Sequence, residues 1–250
     1  MKTLVLFVFT LLPVSLLAQV NETPAPARQY DFKRITQTVD LSLATVGDFT
    51  TAAVSVNRLH GLGRARRFRI GYGLRLTSAF GTNANYRTAP ANLTSGNVSI
   101  VALFSEDIVA NIDTVRFPKS QVNSLNVSIN LEYGLTRRFD VGINIDAIGF
   151  SVGARQTGTF IANSPFRSSL SGTQQEARVT PFNLLLISDS DIGSLNSEAY
   201  VRYRVSPRVS LRGGINFQFN EYTTNRKLTF ENDRFRSKNA LPMLAVSYHF

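Results

Sequence analysis

The chain has 250 residues and contains no cysteine, no tryptophan and only two histidines, His60 and His249. Without cysteine it has no disulfide, no thiol nucleophile and no thiolate metal site, and a bacterial lipid anchor on an N-terminal cysteine is excluded. It also lacks a long apolar run beyond its first 18 residues, and a spanning helix needs about 18 or more. If the mature chain lies in a membrane, it must cross it as a β-barrel. Basic residues exceed acidic ones by ten, a balance that would suggest nucleic acid in a cytoplasmic protein. The opening MKTLVLFVFTLLPVSLLA argues against that destination: Lys2, an apolar core over residues 4–12 and the small Ala18 before Gln19 have the form of a secretory signal. Leu16 is larger than the residue usual before a cleavage site, so the cut is open to a residue or so. We therefore expect an exported protein with no nucleic-acid partner, a signal peptide over 1–18, a flexible periplasmic segment over 19–37 and a β-domain over 38–250.

What the chain does have is alternation. In RFRIGYGLRLTSAF, Phe68, Ile70, Tyr72, Leu74, Leu76 and Phe80 share one face, while Arg69, Gly71, Gly73, Arg75 and Thr77 share the other. SLNVSINLEYGL and FDVGINIDA repeat the pattern on either side of a short TRR turn, and LNSEAYVRYRV and VSLRGGINFQFN repeat it again. Weaker segments near 38–46 and 52–60, with the C-terminal LAVSYHF, bring the total to about eight strands. Short turns at 63–66, 136–138 and 206–208 alternate with long connections at about 81–122, 154–194 and 221–240. This is the wiring of an all-β, antiparallel, up-and-down transmembrane barrel with short periplasmic turns and long outer loops. Two connections of some 40 residues are long for unstructured loops. Segments such as NVSIVALF, IVANIDTVRF and TPFNLLLIS could add strands, which leaves 10–12 as the alternative count.

The non-apolar faces carry both signs. Arg69, Arg75, Arg202, Arg204 and Arg212 stand against Asp40, Glu132, Asp140, Asp146 and Glu198. Five cations and five anions suit a lumen ion-pair network, because unpaired buried charge is very costly; a solvated face on a soluble β-protein would also accept them. Arg64, Arg66, Arg67, Arg137, Arg138 and Arg208 cluster at the short turns, where long cationic stems can snorkel to lipid phosphates or merely flank a turn. Tyr72, Tyr133, Tyr203 and Tyr248 could form aromatic girdles, although such girdles often use the tryptophan this chain lacks.

The end of the chain is the most specific signal. Leu244, Val246, Tyr248 and the final Phe250 alternate with polar or small residues, and this ending resembles the C-terminal assembly signal of Gram-negative outer-membrane β-barrel proteins. Pro242, at the next alternating position, departs from that pattern and leaves the start of the last strand open. The stretch EYGLTRRFDVGINI is similar to the strand–turn–strand unit of these families. The resemblance implies integral insertion in the bacterial outer membrane, contact with outer-membrane lipid, and engagement of the barrel-assembly machinery by the last strand.

Nothing points to catalysis, a metal or a cofactor. Both histidines fall at expected periplasmic strand ends, no G-x-S-x-G elbow occurs, and GYG at 71–73 lacks the third glycine of a phosphate loop. Those glycines better suit relief of crowding or a neighbouring tyrosine ring. Loop carboxylates Glu106, Asp107, Asp113, Asp189 and Asp191 read as solvated charge before they read as cation ligands. The expected function is non-enzymatic: a small barrel with a polar, largely plugged lumen, acting through extracellular loops in binding, adhesion or envelope integrity. The alternative is a porin-like channel or transporter for small solutes, anionic ones among them. The sequence names no extracellular ligand or solute.

Overall fold

A computed structural model describes residues 32–97, 105–163, 168–186 and 191–250. The expected export segment, 1–18, and most of the expected leader, 19–37, lie outside those residues. In chain order come β1 (Ile35–Val46), β2 (Phe49–Leu62), β3 (Phe68–Thr88), a one-turn helix α1 (Ala91–Thr94), β4 (Thr114–Gly134) and β5 (Phe139–Val152). Three short strands follow, β6 (Gln156–Ile161), β7 (Gln174–Val179) and β8 (Phe182–Leu184), and then β9 (Leu195–Arg204), β10 (Val209–Thr224) and β11 (Arg234–His249). The eight long strands pair antiparallel in the order β1, β2, β3, β4, β5, β9, β10, β11. The ring closes between β11 and β1, from Thr38 opposite His249 to Ala44 opposite Met243. The first strand begins at Ile35, three residues before the expected domain start at 38.

The alternation is converted into an inverted barrel. Leu74 and Leu76 of β3, Leu125, Val127 and Ile129 of β4, Val201 of β9, and Leu244 and Val246 of β11 all face outward and are exposed. Arg69, Arg75, Glu132, Asp146, Arg202 and Arg212, from the same strands and their neighbours, face inward and are almost fully buried. Water would favour the reverse arrangement; a hydrocarbon surround favours this one, because closure satisfies every backbone group and the apolar face meets lipid. The outward apolar run of β3 between Phe68 and Phe80 rises about 30 Å for a strand tilted near 40°, the height of a bilayer core. The chain forms a transmembrane β-barrel of eight strands.

Aromatic side chains mark both edges of this band. Phe68, Tyr133, Phe139, Tyr203, Tyr248 and Phe250 ring the edge beside the short turns, with Phe139 and Tyr203 at 5.1 Å between centroids. Phe80, Phe150, Phe182 and Phe217 are exposed at the other edge, with Phe150 and Phe182 at 5.9 Å. Of the four tyrosines expected at the girdles, Tyr72 lies instead within the band, opposite Ile129. The outer girdle is phenylalanine, a residue with no polar tip, which alternation alone does not single out.

Local irregularities keep the faces consistent. The β4–β5 register shifts between Val127 and Ser128, so that Ile148 and Asp146 oppose consecutive residues and Ala147 is extra. This bulge moves the inward set of β5 from Asp140, Asn144 and Asp146 to Gly149 and Ser151, and sends Ile148, Phe150 and Val152 outward. Pro242 sits inside β11, opposite Ile215 of β10, one residue past the last β1–β11 pair. A proline is tolerated there because the ladder to β1 has ended. β11 therefore starts at Arg234, well before the residue that left its start open.

Above the apolar band the architecture changes. The β1–β2 connection is a two-residue turn, Gly47 and Asp48, with Gly47 at φ +52°, as tight hairpin turns require. This hairpin stops short, whereas β3 with β4 and β10 with β11 continue. β11 then pairs directly with β3, Phe235 opposite Thr88 and Arg236 opposite Arg87. On the other side β4 pairs with β6, β6 with β7, and β7 with β10. The result is a second closed ring of six strands, β3, β4, β6, β7, β10 and β11, stacked on the first. β6, β7 and β8 have six, six and three residues, too few to cross a bilayer. The alternative of 10–12 spanning strands is thereby corrected to eight: β6 and β7 belong to the outer ring, and β8 is a three-residue strand on the end of β5. NVSIVALF lies almost wholly outside the described residues, while IVANIDTVRF supplies a 3₁₀ turn, Val109–Asn111, and the start of β4.

The interior also changes character between the rings. Inward residues of β3 are odd-numbered up to Gly81 and even-numbered from Ala84; those of β4 are even-numbered down to Ser120 and odd-numbered at Phe117 and Val115. Both flips occur opposite one another, around Asn83, which has φ +49°, and Pro118, with the β3–β4 register unchanged. Below the flip the inside is polar. Above it Tyr86, Val115, Phe117, Phe160, Val179, Tyr222 and Phe235 form one buried apolar cluster, joined by Val122 from just below.

Candidate functional site: the barrel interior

The site is built by inward residues of six strands. β1 supplies Asp40, β3 Arg69 and Arg75, β4 Glu132, β5 Asp140 and Asp146, β9 Glu198, Arg202 and Arg204, and β10 Arg212. All ten charged residues singled out from alternation face the lumen and meet in two layers. Near the short-turn end, Arg69 Nη2 lies 2.7 Å from Glu132 Oε1 and 2.6 Å from Asp140 Oδ1. Arg202 Nη1 reaches Glu132 Oε2 at 2.6 Å, and Arg204 Nη2 reaches Asp140 Oδ2 at 2.9 Å. Nearer the middle, Arg75 joins Asp146 at 3.3 Å and Glu198 at 3.5 Å, and Arg212 joins Glu198 at 3.2 Å and Asp40 at 3.4 Å. Each carboxylate other than Asp40 and Asp146 is shared by two guanidiniums, which offsets the loss of water around both signs.

Neutral side chains add hydrogen bonds to these carboxylates. Asn57 Nδ2 donates to Asp40 at 2.8 Å and Asn126 Nδ2 to Asp146 at 2.7 Å. Tyr200 ties the layers together: its hydroxyl donates to Glu132 Oε2 at 3.2 Å, and its ring centroid lies 4.5 Å from the Arg212 guanidinium carbon. Tyr200 is opposite Gly142 on one neighbouring strand and Gly214 on the other. A Cβ at Gly142 would sit 2.6 Å from the Tyr200 ring, so glycine makes room for it. The ring-over-glycine arrangement expected at GYG is found here instead, while Gly73 accommodates the Asn57 side chain and Gly71 the Arg58 carbonyl.

Phe32 closes the inner mouth. It is buried, with its ring centroid 5.3 Å from the Arg69 guanidinium carbon and 5.8 Å from that of Arg204. Nothing in its Pro- and charge-rich surroundings marks this role in the sequence. Asn57, Asn126, Asn144, Asn196 and Tyr200, by contrast, share the alternating face of the charges and were discoverable from it.

At the other end the outer ring is dry. Tyr86, Phe117 and Tyr222 pack with centroids 4.9–5.2 Å apart, and Tyr222 donates its hydroxyl to the Gln121 carbonyl at 3.1 Å. Burial raises the pKa of both phenols, which keeps this core uncharged.

The remaining candidates are dispersed. Ile35 is opposite His60, and His249 Nε2 lies 2.8 Å from Ser210 Oγ, so both histidines sit at the short-turn end. Of the loop carboxylates, Asp107 lies 3.8 Å from Arg87, Asp113 accepts the Asn163 N–H at 2.9 Å and Asp191 that of Leu186 at 2.7 Å. Glu106 is exposed, and Asp189 lies outside the described residues. Among the described residues no group of three or more potential metal-ligating side chains occurs. Leu244, Val246, Tyr248 and Phe250 all face outward at the lipid surface.

Closure on eight strands, an apolar exterior and a charged interior define an outer-membrane-type β-barrel. No protein-family model matches the chain, and no curated protein does. Among solved structures it is similar to Neisserial surface protein A, at 10% identity over 86% of this chain and 96% of that one, with a TM-score of 0.36. A major outer membrane protein from Thermus thermophilus is 13% identical over 86% and 99%, with a TM-score of 0.35. Ail, the attachment invasion locus protein of Yersinia pestis, is 9% identical over 86% and 96%, with a TM-score of 0.33. Identities this low say nothing of activity, and the fold assignment rests on the pairing and polarity described above.

Proposed function

We propose that this protein is an exported, integral outer-membrane barrel that passes no solute, catalyses no reaction and acts by binding at its outer face. The observation that carries this reading is the filling of the lumen along its length: Phe32 at the inner mouth, two ion-paired layers, then an apolar core in the outer ring. A pore needs a continuous wet path, and an eight-stranded interior is only wide enough for its own side chains. The six-stranded ring, the sole large element outside the apolar band among the described residues, is then where a partner is met. In this reading the short turns face the periplasm, the apolar band contacts outer-membrane lipid, and Leu244, Val246, Tyr248 and Phe250 are presented to the assembly machinery.

The test is conductance in a planar bilayer, with refolded protein that migrates as a compact species on an unboiled gel. A folded but silent barrel is expected. Discrete steps would replace this reading with the porin-like one, for which no lumen feature speaks.

A further inference from the structure

We infer that the barrel wall carries a site for one anionic phospholipid of the leaflet that meets the short turns, with the lipid phosphate at Arg58 and an acyl chain in the groove beside it. The inference goes beyond the outer-face reading and does not depend on it, because the groove lies on the spanning wall. Between the two aromatic girdles the outward face is apolar or neutral with one exception among the described residues. Arg58 of β2 is the only Arg, Lys, Asp or Glu there. A cation turned toward lipid is costly, and the cost falls when it meets an anion.

The position of Arg58 defines the anion it can meet. Arg58 is opposite Gln37 of β1 and Tyr72 of β3. Tyr72 is four residues inside Phe68, so this row stands about 10 Å into the apolar band. From there the long stem can carry the guanidinium back toward the rim and the lipid phosphates. Arg58 is half-buried, and its Nε is buried with no hydrogen-bond partner. No acidic side chain stands on the outward faces of β1 to β4 within the band. The one protein anion nearby is the terminal carboxylate of Phe250. The Phe250 N–H donates to the Gln37 carbonyl, which places Phe250 on the far side of β1, about 10 Å from Arg58 by strand spacing.

The groove supplies the rest of the match. It has a volume of about 590 Å³. Gln37, Arg58, Tyr72 and Phe250 line the end nearer the short turns, and Val56, Leu74 and Val127 line the deeper end. Val56 and Leu74 lie one outward step further from the rim than Arg58 and Tyr72, and Val127 is opposite Leu74. Hydrogen-bond donors therefore stand near the rim and apolar side chains toward the midplane. A phospholipid of that leaflet has the same order, phosphate at the rim and chain toward the midplane. The Gln37 amide and the Tyr72 hydroxyl can donate beside the guanidinium, and bonds from a guanidinium to phosphate are among the strong ones. A second copy of this chain would bring the same wall, which has no acidic side chain for Arg58, so charge complementarity favours the lipid.

The experiment uses the absence of tryptophan from the chain, since one introduced tryptophan then reports its local lipid without background. Ile129→Trp places the reporter on β4, opposite Tyr72 and beside the groove. Ile215→Trp places it on β10, three strands from β2 on the other side of the ring. Each refolded protein is checked for compact gel migration and placed in phosphatidylcholine bilayers containing brominated phosphatidylglycerol, whose quenching gives the local lipid ratio. Enrichment of phosphatidylglycerol by roughly fivefold or more is expected at Ile129→Trp, with the bulk ratio at Ile215→Trp. Adding Arg58→Gln, a change at the lipid face, should return the Ile129→Trp reporter to the bulk ratio. Adding Val56→Phe, which fills the groove and keeps the cation, should lower the enrichment. A bulk ratio at Ile129→Trp, as expected if the Phe250 carboxylate neutralises Arg58 instead, would overturn the inference. So would equal enrichment at both reporters, or enrichment unchanged by either Arg58→Gln or Val56→Phe. Conductance steps would remove the closed-barrel reading and leave this result untouched.

Discussion

Glu132 shows what a single residue holds in this lumen. It is ion-paired with Arg69 and Arg202 and accepts from Tyr200, and its side chain is completely buried. Its removal leaves Arg202 without its carboxylate and Arg69 with Asp140 alone. Glu132→Ala should therefore lower stability by roughly 3–5 kcal/mol, the cost of orphaning a buried charge, read as a shift in the urea midpoint of the refolded barrel followed by tyrosine fluorescence. Arg204 offers the contrast: it is partly exposed at the inner mouth, and Asp140 keeps Arg69 when it is gone. Arg204→Ala should cost only about 1 kcal/mol or less in the same measurement. A third substitution tests space instead of charge. Gly142→Ala drives a methyl group into the Tyr200 ring, and the resulting overpacking should destabilise the barrel by about 1–3 kcal/mol. If Gly142→Ala proves neutral, the ring over the glycine is not a constraint.

At the scale of elements, the two rings are built on opposite rules and should fail separately. Phe160 lies on β6 and is completely buried in the apolar cluster of the outer ring, apart from the lumen charges. Phe160→Ala removes a large buried side chain worth roughly 3–5 kcal/mol to its surroundings. Limited proteolysis should then cut the variant within 154–194 while the eight spanning strands stay protected and the compact gel species survives; loss of that species would mean the rings fold as one unit. The same division decides what could be read from the amino acids. Apart from β5, the spanning segments carry their faces in period two, so Arg69, Arg75, Glu132 and Arg212 could be assigned to one side before any pairing was known. The outer ring could not, because the phase reverses at Asn83 and Pro118 and the inside changes from polar to apolar there. Read with the phase of the lower strand, Tyr86 and Phe117 fall on the wrong face, and the segments look like loops. The six-residue strands β6 and β7 carry too few alternations to stand out, and their place in a ring is fixed only by pairing with β4 and β10. The Ala147 bulge hid the phase change of β5 in the same way.

At the scale of the whole molecule, the remaining question is which end faces the outside of the cell, and the absence of cysteine makes it directly measurable. Ser169 is exposed in the turn between β6 and β7 of the outer ring, and Ala65 is exposed in the short turn between β2 and β3. Each can be replaced singly by cysteine with no background thiol in the chain. If the outer ring is the surface element, Ser169→Cys should react with a membrane-impermeant maleimide on intact cells, and Ala65→Cys only after the outer membrane is permeabilised. The opposite pattern would invert the barrel, place the apolar core in the periplasm, and leave the surface with nothing but the short turns. The lengths of the connections give the reason to expect the first result. Outer-membrane barrels keep short turns on the periplasmic side and long connections outside, and here the short turns at 63–66, 136–138 and 206–208 share one rim while the six-stranded ring stands on the other.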